Sequence, residues 1–172
     1  PIRIRAPTHG SDGYSMHRLI AIDDEPGVLR ELERTLQDPG LQLETTSDPV
    51  AALERLRDTE FDVVIADCRM PEVDGVRLLT EVRKRHPHTV RLMLIGHADM
   101  RGRGAALNDA GIFRFVAKPW GAPELRQAVA DALAQRGRLL EAGRALRAAA
   151  PGADFSIRRR LTVGELRKLA NA

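Results

Sequence analysis

Three acidic residues and one lysine follow apolar segments of this sequence at positions where they could act together. Asp23 and Asp24 follow the segment RLIAI, Asp67 follows FDVVIA, and Lys118 follows IFRFVA. One such aspartate would most often cap a helix or form a turn, and one such lysine would most often be a solvated surface residue. Because all of them lie within two residues of the end of an apolar segment, we interpret the set as a functional site.

Clustered carboxylates predict the chemistry of this site. They repel one another, and the pKa of at least one rises unless a cation lies among them. Mg²⁺ meets that need, because it takes hard oxygen ligands and pairs with phosphate oxygens. A lysine ammonium can contact another oxygen of the same phosphate. A carboxylate can also attack phosphorus and form an acyl phosphate.

The segments between these residues alternate between two hydrophobic periods. Apolar runs predict strands at residues 18–22, 41–45, 61–66, 90–95 and 112–117. Helical spacing and capping residues predict helices at 26–36, 48–57, 74–85, 100–109 and from about 122 to 150. Nearly all-apolar strands are typical of a sheet buried on both faces, so we expect an α/β fold with a five-stranded, doubly wound parallel sheet. Such sheets bind ligands beyond the carboxyl ends of their strands, where the acids and the lysine lie.

Composition excludes some classes of protein. The chain has 172 residues, and no apolar run reaches the length of about 18 residues that a membrane span needs. No signal-peptide pattern precedes the first strand. Cys68 is the single cysteine, which excludes a disulfide framework and favours a reducing cytoplasm. The net charge of +3 is too small and too dispersed to predict nucleic-acid binding by itself.

The motifs around these residues resemble those of a known family. The segments IAIDDEP, VVIADCRMPEVDG and FVAKPW resemble the receiver domains of bacterial two-component response regulators, the CheY-like superfamily. Met70, Pro71 and Gly75 follow Asp67 at the family's usual offsets, and the resemblance covers about residues 17–134. It implies a flavodoxin-like fold and a signalling domain in a phosphorelay. Such a domain catalyses only its own phosphotransfer and is not an enzyme in the ordinary sense.

The resemblance also implies roles for the acidic residues. Asp67 would accept a phosphoryl group from a sensor histidine kinase or a phosphotransfer protein. Asp24 and Asp67 would bind Mg²⁺ directly, with Asp23 beside them or acting through water. The backbone carbonyl of Arg69 would be a further ligand.

Other site residues lie at the ends of the last two strands. The resemblance implies that Lys118 holds the phosphoryl group and that the Lys118–Pro119 peptide bond is cis. Gly96 would border the phosphate and leave it open to water. Phe115 occupies the position of the family's aromatic switch residue, and ordinary core packing is the alternative explanation for it.

One residue departs from the family pattern. The family has Ser or Thr where this chain has Ile95, at the end of the fourth strand. Loss of that hydrogen bond to a charged oxygen would cost about 1.5–3 kcal/mol of preference for the phosphorylated active state. The usual coupling from phosphate to Phe115 is therefore in doubt.

Three functions remain to be compared. The first is a receiver that signals through altered dimerisation or effector contact. The second is a phosphorylation-independent pseudo-receiver that serves as a dimerisation or interaction module, which Ile95 favours. The third is a phosphohydrolase of the haloacid-dehalogenase type. We disfavour the third, because its loop requires an acid two residues after the nucleophile, where this chain has Arg69, and because no cap domain is present.

The predicted domain organisation extends beyond the receiver, which we assign to residues 16–134. We interpret residues 1–15 as a disordered leader or an expression remnant and residues 135–150 as a helical extension. Residues 151–172 predict a basic linker or the start of a missing effector domain, and nucleic acid would be bound only through such a domain.

The long helix could also mediate a homodimer. Leu125, Ala132, Leu139 and Leu146 recur every seven residues, which predicts a short coiled coil with a second copy. Arg136 falls near that seam, and a solvated overhang is the alternative.

Overall fold

A computed structural model describes residues 16–96 and 110–149 of the chain. Its strands are β1 His17–Ile22, β2 Leu41–Thr46, β3 Val63–Asp67, β4 Val90–Ile95 and β5 Arg114–Ala117. The helices within the described ranges are α1 Pro26–Thr35, α2 Pro49–Asp58, α3 Gly75–Arg85 and α4 Ala122–Ala149. The predicted helix at 100–109, the leader 1–15 and the basic segment 151–172 lie outside the described residues. The domain boundaries therefore stay predictions.

The five strands form one parallel sheet in the order β2-β1-β3-β4-β5, which confirms the predicted fold class. The chain order reverses between β1 and β3, and doubly wound sheets bind ligands at this point. Ile22 of β1 is in register with Ala66 of β3. Asp23 and Asp67 therefore follow paired residues on adjacent strands and lie side by side.

Alternation along the strands builds an apolar cluster on each face of the sheet. One cluster combines Ile20, Ile22, Val64, Ala66, Met93 and Ile95 with Leu53, Leu56, Leu78 and Leu79 of α2 and α3. The other combines Leu19, Ala21, Val63, Ile65, Leu92, Leu94 and Val116 with Leu29, Leu32, Leu125, Val129 and Leu133 of α1 and α4. Both faces of the central strands are therefore buried, as the nearly all-apolar segments predicted.

The edge strand β5 differs from that prediction. It begins at Arg114, two residues later than expected, and its first two residues are exposed. Only one neighbour pairs with β5, so it does not need apolar residues at every position. By contrast, the predicted cap of α2 is confirmed, because the Asp48 carboxylate accepts hydrogen bonds from the N–H groups of Val50 and Ala51.

The residues of the predicted coiled-coil seam are largely used within the domain. Leu125 and Ala132 are fully buried in the core, and Leu139 packs against the same cluster. Arg136 is also buried, whereas the Leu146 side chain is 63% exposed. The interpretation of Leu125 and Ala132 as contacts to a second copy is wrong, because their own domain covers them.

No helix within residues 16–96 and 110–149 combines the length and the apolar character that crossing a membrane requires.

We predict that Gly75→Ala disrupts the segment between β3 and α3. A Cβ on Gly75 would lie 1.8 Å from the backbone carbonyl oxygen of Asp67, and backbone cannot move away as a flexible side chain can. The free energy of unfolding, measured by urea denaturation, should fall by at least about 2 kcal/mol.

The matched control is Gly27→Ala in α1. The nearest atom to a Cβ there is Arg30 Nη2 at 3.9 Å, so the substitution should be neutral or raise stability by up to about 1 kcal/mol. Equal effects of the two substitutions would contradict the close approach at Gly75.

Candidate functional site

Three of the predicted site residues meet at the carboxyl edge of the sheet. The ammonium nitrogen of Lys118 lies 2.7 Å from Asp23 Oδ2 and 2.6 Å from Asp67 Oδ1. The backbone N–H of Lys118 donates to the Ile95 carbonyl at 2.8 Å, which ties the lysine to the end of β4. The Lys118–Pro119 peptide bond is cis, as the resemblance implied.

Each carboxylate is held at its second oxygen by a backbone N–H. Asp23 Oδ1 accepts from Glu25 at 2.9 Å, and Asp67 Oδ2 accepts from Arg69 at 2.7 Å. Both bonds span two residues and close a local turn after the strand. Because both oxygens of each acid have partners, neither carboxylate can rotate freely.

The segment after Asp67 is tied back to the sheet. Cys68 donates its backbone N–H to the Leu94 carbonyl, and its own carbonyl accepts from Gly75 at 3.3 Å. Glu72 adopts a left-handed backbone with a φ of 66°, which is uncommon for a residue other than glycine. These contacts bring the start of α3 against the end of β3, which is why position 75 has no room for a side chain.

Burial makes the charges at this edge interact strongly. The side chains of Asp23, Asp67 and Lys118 are 0%, 10% and 19% exposed. Burial raises the pKa of Asp23 above its ordinary value, and the charge of Asp67 adds to that effect, although the hydrogen bond from Lys118 opposes it. Burial alone would lower the pKa of Lys118, but its bonds to both carboxylates outweigh burial, and the net pKa is raised. Lys118 therefore stays charged.

The predicted metal ligands differ in their burial. Asp24 and Arg69 are exposed beside the buried Asp23 and Asp67. Across the described ranges, no group of three or more His, Cys, Asp or Glu side chains is arranged to hold a metal ion. The ammonium of Lys118 instead lies between Asp23 and Asp67.

Sequence reasoning missed Glu25 as a member of this site. Glu25 Oε1 lies 3.9 Å from Lys118 Nζ and contributes a third carboxylate to the surroundings of the ammonium. Glu25 is the N-terminal cap residue of α1, yet its side chain makes no capping hydrogen bond. Its place directly after the acidic pair, in IDDEP, was the available signal.

The remaining predicted residues lie in β4 and β5 or directly after β4. Ile95 is buried in the apolar cluster that also holds Ala66 and Cys68, so it presents no donor. Gly96 is half-buried directly after β4. Phe115 is 41% exposed, so the alternative of ordinary core packing is wrong for that residue.

Comparison with known proteins identifies the family. The model of the response regulator receiver domain matches residues 19–130. This chain belongs to that family. It is therefore a receiver domain of the two-component signalling type, which is a signalling domain and not a conventional enzyme.

Two regulators illustrate how much of a longer protein the receiver covers. The transcriptional regulatory protein GlrR of Escherichia coli K12 is 35% identical over 117 residues, which are 68% of this chain and 26% of that protein. The hydrogenase transcriptional regulatory protein HoxA of Cupriavidus necator is 34% identical over 119 residues, 69% of this chain and 24% of that protein. The chain thus spans about a quarter of the length of these relatives.

Solved structures of receivers have the same fold. The signal receiver domain of an HD domain-containing protein from Pseudomonas fluorescens Pf-5 is 28% identical with a TM-score of 0.71, and the match covers 78% of this chain and 98% of that one. The receiver domain of a sensor histidine kinase from Pseudomonas aeruginosa PAO1, solved with magnesium in its active site cleft, is 21% identical with a TM-score of 0.62 over 69% of this chain and 98% of that one. At that identity the second likeness establishes the fold alone.

We predict that Lys118→Met destabilises the receiver domain at neutral pH. It leaves two buried carboxylates without their cation, so the free energy of unfolding at pH 7 should fall by about 2–3 kcal/mol. The loss should shrink toward pH 4. A carboxyl whose folded-state pKa is raised above 3.8 favours the folded state at low pH, and this stability disappears as pH rises through that pKa.

Urea denaturation at several pH values between 4 and 7 measures both effects. The control is Lys84→Met, which removes an exposed lysine paired with Glu81 and should change stability by less than about 0.5 kcal/mol. A pH-independent loss in Lys118→Met would contradict the electrostatic role assigned to the ammonium.

Proposed function

We propose that Asp67 accepts a phosphoryl group from the phosphohistidine of a sensor histidine kinase or a phosphotransfer protein. The observation that carries the proposal is the position of Asp67 where the strand order of the sheet reverses. There its carboxylate is held between the Arg69 N–H and the ammonium of Lys118. In the transfer, an Asp67 oxygen forms a bond to phosphorus as the bond from phosphorus to the imidazole nitrogen breaks. Lys118 is placed to neutralise the charge that the phosphoryl oxygens bring.

We propose Mg²⁺ as the cofactor of this reaction. The available donors are all hard oxygens, from Asp23, Asp24, Asp67 and the backbone carbonyl of Arg69. One ammonium between two buried carboxylates leaves the edge with excess negative charge, which favours a further cation. When bound, the ion would neutralise charge on the carboxylates and on the incoming phosphoryl group. A magnesium ion in the cleft of another protein of this fold supports the assignment.

We further propose that phosphorylation changes homodimerisation or contact with an effector. The chain covers about a quarter of the length of relatives that are named transcriptional regulators, so an effector region beyond the receiver is consistent with them. In this view the receiver acts in the cytoplasm with a kinase and with its own output region, and nucleic acid is bound through that region.

The second candidate function is the phosphorylation-independent pseudo-receiver. One observation favours it over a working switch. Ile95 is buried among apolar residues, and its aliphatic side chain cannot donate to a phosphoryl oxygen.

Incubation with acetyl phosphate and Mg²⁺ tests the first candidate. We expect intact-mass spectrometry to detect one added phosphoryl group on the parent protein, and none when a chelator removes Mg²⁺. Asp67→Asn should abolish the adduct. Glu72→Gln, which changes an exposed acid in the same loop, should retain it.

A parent protein that forms no adduct and also fails to bind beryllofluoride with Mg²⁺ would leave the pseudo-receiver as the function. An adduct that persists in Asp67→Asn would place the phosphoryl group on another residue.

Ile95→Thr tests whether residue 95 limits the switch. Threonine restores a hydroxyl donor, so affinity for beryllofluoride with Mg²⁺ should rise by about 10-fold to 100-fold, corresponding to about 1.5–3 kcal/mol. Trp120, the single tryptophan of the chain, follows Pro119 directly and provides a fluorescence signal for the titration. Ile95→Val is the control, since valine has the shape of threonine without the hydroxyl. Equal affinities of the two variants would mean that the missing donor does not limit binding.

A further inference from the structure

One face of α4 stays in contact with the domain well beyond the core. Leu125, Ala132, Arg136, Leu139 and Gly143 follow one another at spacings of seven, four, three and four residues, which places them on a single helical face. The first two are buried in the core. The next three contact other parts of the receiver, each through a different kind of interaction.

Arg136 binds two acids at the amino edge of the sheet. Its side chain is 8% exposed, with Nη2 2.9 Å from Glu60 Oε1 and Nε 3.2 Å from Asp62 Oδ1. Asp62 is itself fixed, since its Oδ2 accepts the Arg18 N–H at 3.0 Å and its carbonyl accepts the Val90 N–H at 2.9 Å. The arginine is therefore bound to a rigid part of the sheet.

Gly143, seven residues after Arg136 on the same helix, lies against His88. A Cβ built on Gly143 would lie 3.2 Å from Cε1 and 3.3 Å from Nε2 of the imidazole, closer than ordinary van der Waals contact. His88 is half-buried in the connection between α3 and β4. Leu139, between the two contacts, packs against the apolar cluster under α4. A Cβ at position 143 would require either the His88 imidazole or the helix to shift by a few tenths of an ångström.

The helix needs these contacts to persist. Gly137 and Gly143 both lie in the extension, and each lowers helix formation by about fivefold relative to alanine. A free overhang with two glycines would fray, since isolated short helices are marginal in water. Yet the helix continues to Ala149. Docking at residues 136–143 supplies the stability that the sequence of the extension lacks.

We propose that residues 136–143 form a latch that holds the helical extension against the amino edge of the sheet. The latch consists of the Arg136 ion pairs, the Leu139 contact and the approach of Gly143 to His88. It sets the direction in which α4 leaves the receiver, and its release frees the helix from Arg136 onward. Release also uncovers Leu139, seven residues before the exposed Leu146. The latch lies at the opposite end of β3 from Asp67, and its existence does not depend on phosphorylation.

Hydrogen exchange of the full chain, without a phosphodonor, tests the latch. In Arg136→Ala we expect the amides of residues 137–149 to exchange at least about tenfold faster, because the substitution removes the ion pairs that join the helix to Glu60 and Asp62. Arg138→Ala is the matched control, as Arg138 is exposed on the same helix and bonds only to Gln135 in the described contacts. Equal exchange in the two variants would overturn the proposal.

Gly143→Gln gives a second test, because hydrogen exchange should change in opposite directions in a docked helix and in a free helix. Glutamine is a good helix former, so an undocked extension would exchange more slowly with it than with glycine. A docked helix should exchange faster, because the side chain does not fit against His88. In a His88→Ala background the same substitution should slow exchange instead. Slower exchange in both backgrounds would show that the extension is free. Since neither test uses Asp67, failure of the latch and failure of the phosphorylation proposal are distinguishable.

Discussion

Lys118 places one ammonium group between two carboxylates that follow adjacent strands, and much of this fold is organised around that contact. Asp23 is fully buried and Asp67 nearly so, and two unshielded negative charges there would be costly. The strand order brings both acids to the point where the sheet reverses. The end of β4 then fixes the backbone of Lys118 so that its side chain reaches across to both acids. The excess negative charge of two carboxylates around one ammonium is also the basis on which we propose a further cation at this edge.

The sequence predicted those parts of the fold that depend on local pattern. Alternating periods located the strands and most helices, and the position of Asp67 directly after an apolar strand placed it correctly at the carboxyl edge. The sequence did not predict the contact of Glu25 with Lys118 or the exposure of Phe115. Both depend on how the folded chain packs: Glu25 is 93 residues from Lys118 in the sequence, and within the short strand β5 Phe115 is exposed whereas the adjacent Val116 is buried.

The heptad spacing of α4 illustrates a more general limit. Spacing determines which residues share a helical face, but it does not determine what covers that face. Leu125 and Ala132 fit a coiled coil with a second copy and equally fit the core of their own domain, where the structure places them. In the sequence, Arg136 was a charged residue near the apolar seam of the predicted coiled coil. Its two acidic partners lie more than 70 residues earlier, so only the folded chain could reveal that it is a contact.

Strand β3 has an acid at each end, and the two ends are held in the same way. Asp62 precedes the strand and Asp67 closes it; each accepts one backbone N–H, and each binds a cation from the C-terminal part of the chain. Lys118 precedes α4, and Arg136 lies within it, so the helix is tied to both ends of the same strand. A phosphoryl group on Asp67 would draw Lys118 into new contacts at one end only. Among the described contacts, the ion pair of Arg136 with Asp62 would still hold α4 at the other end of β3, so the position of the outgoing helix would depend on its strength.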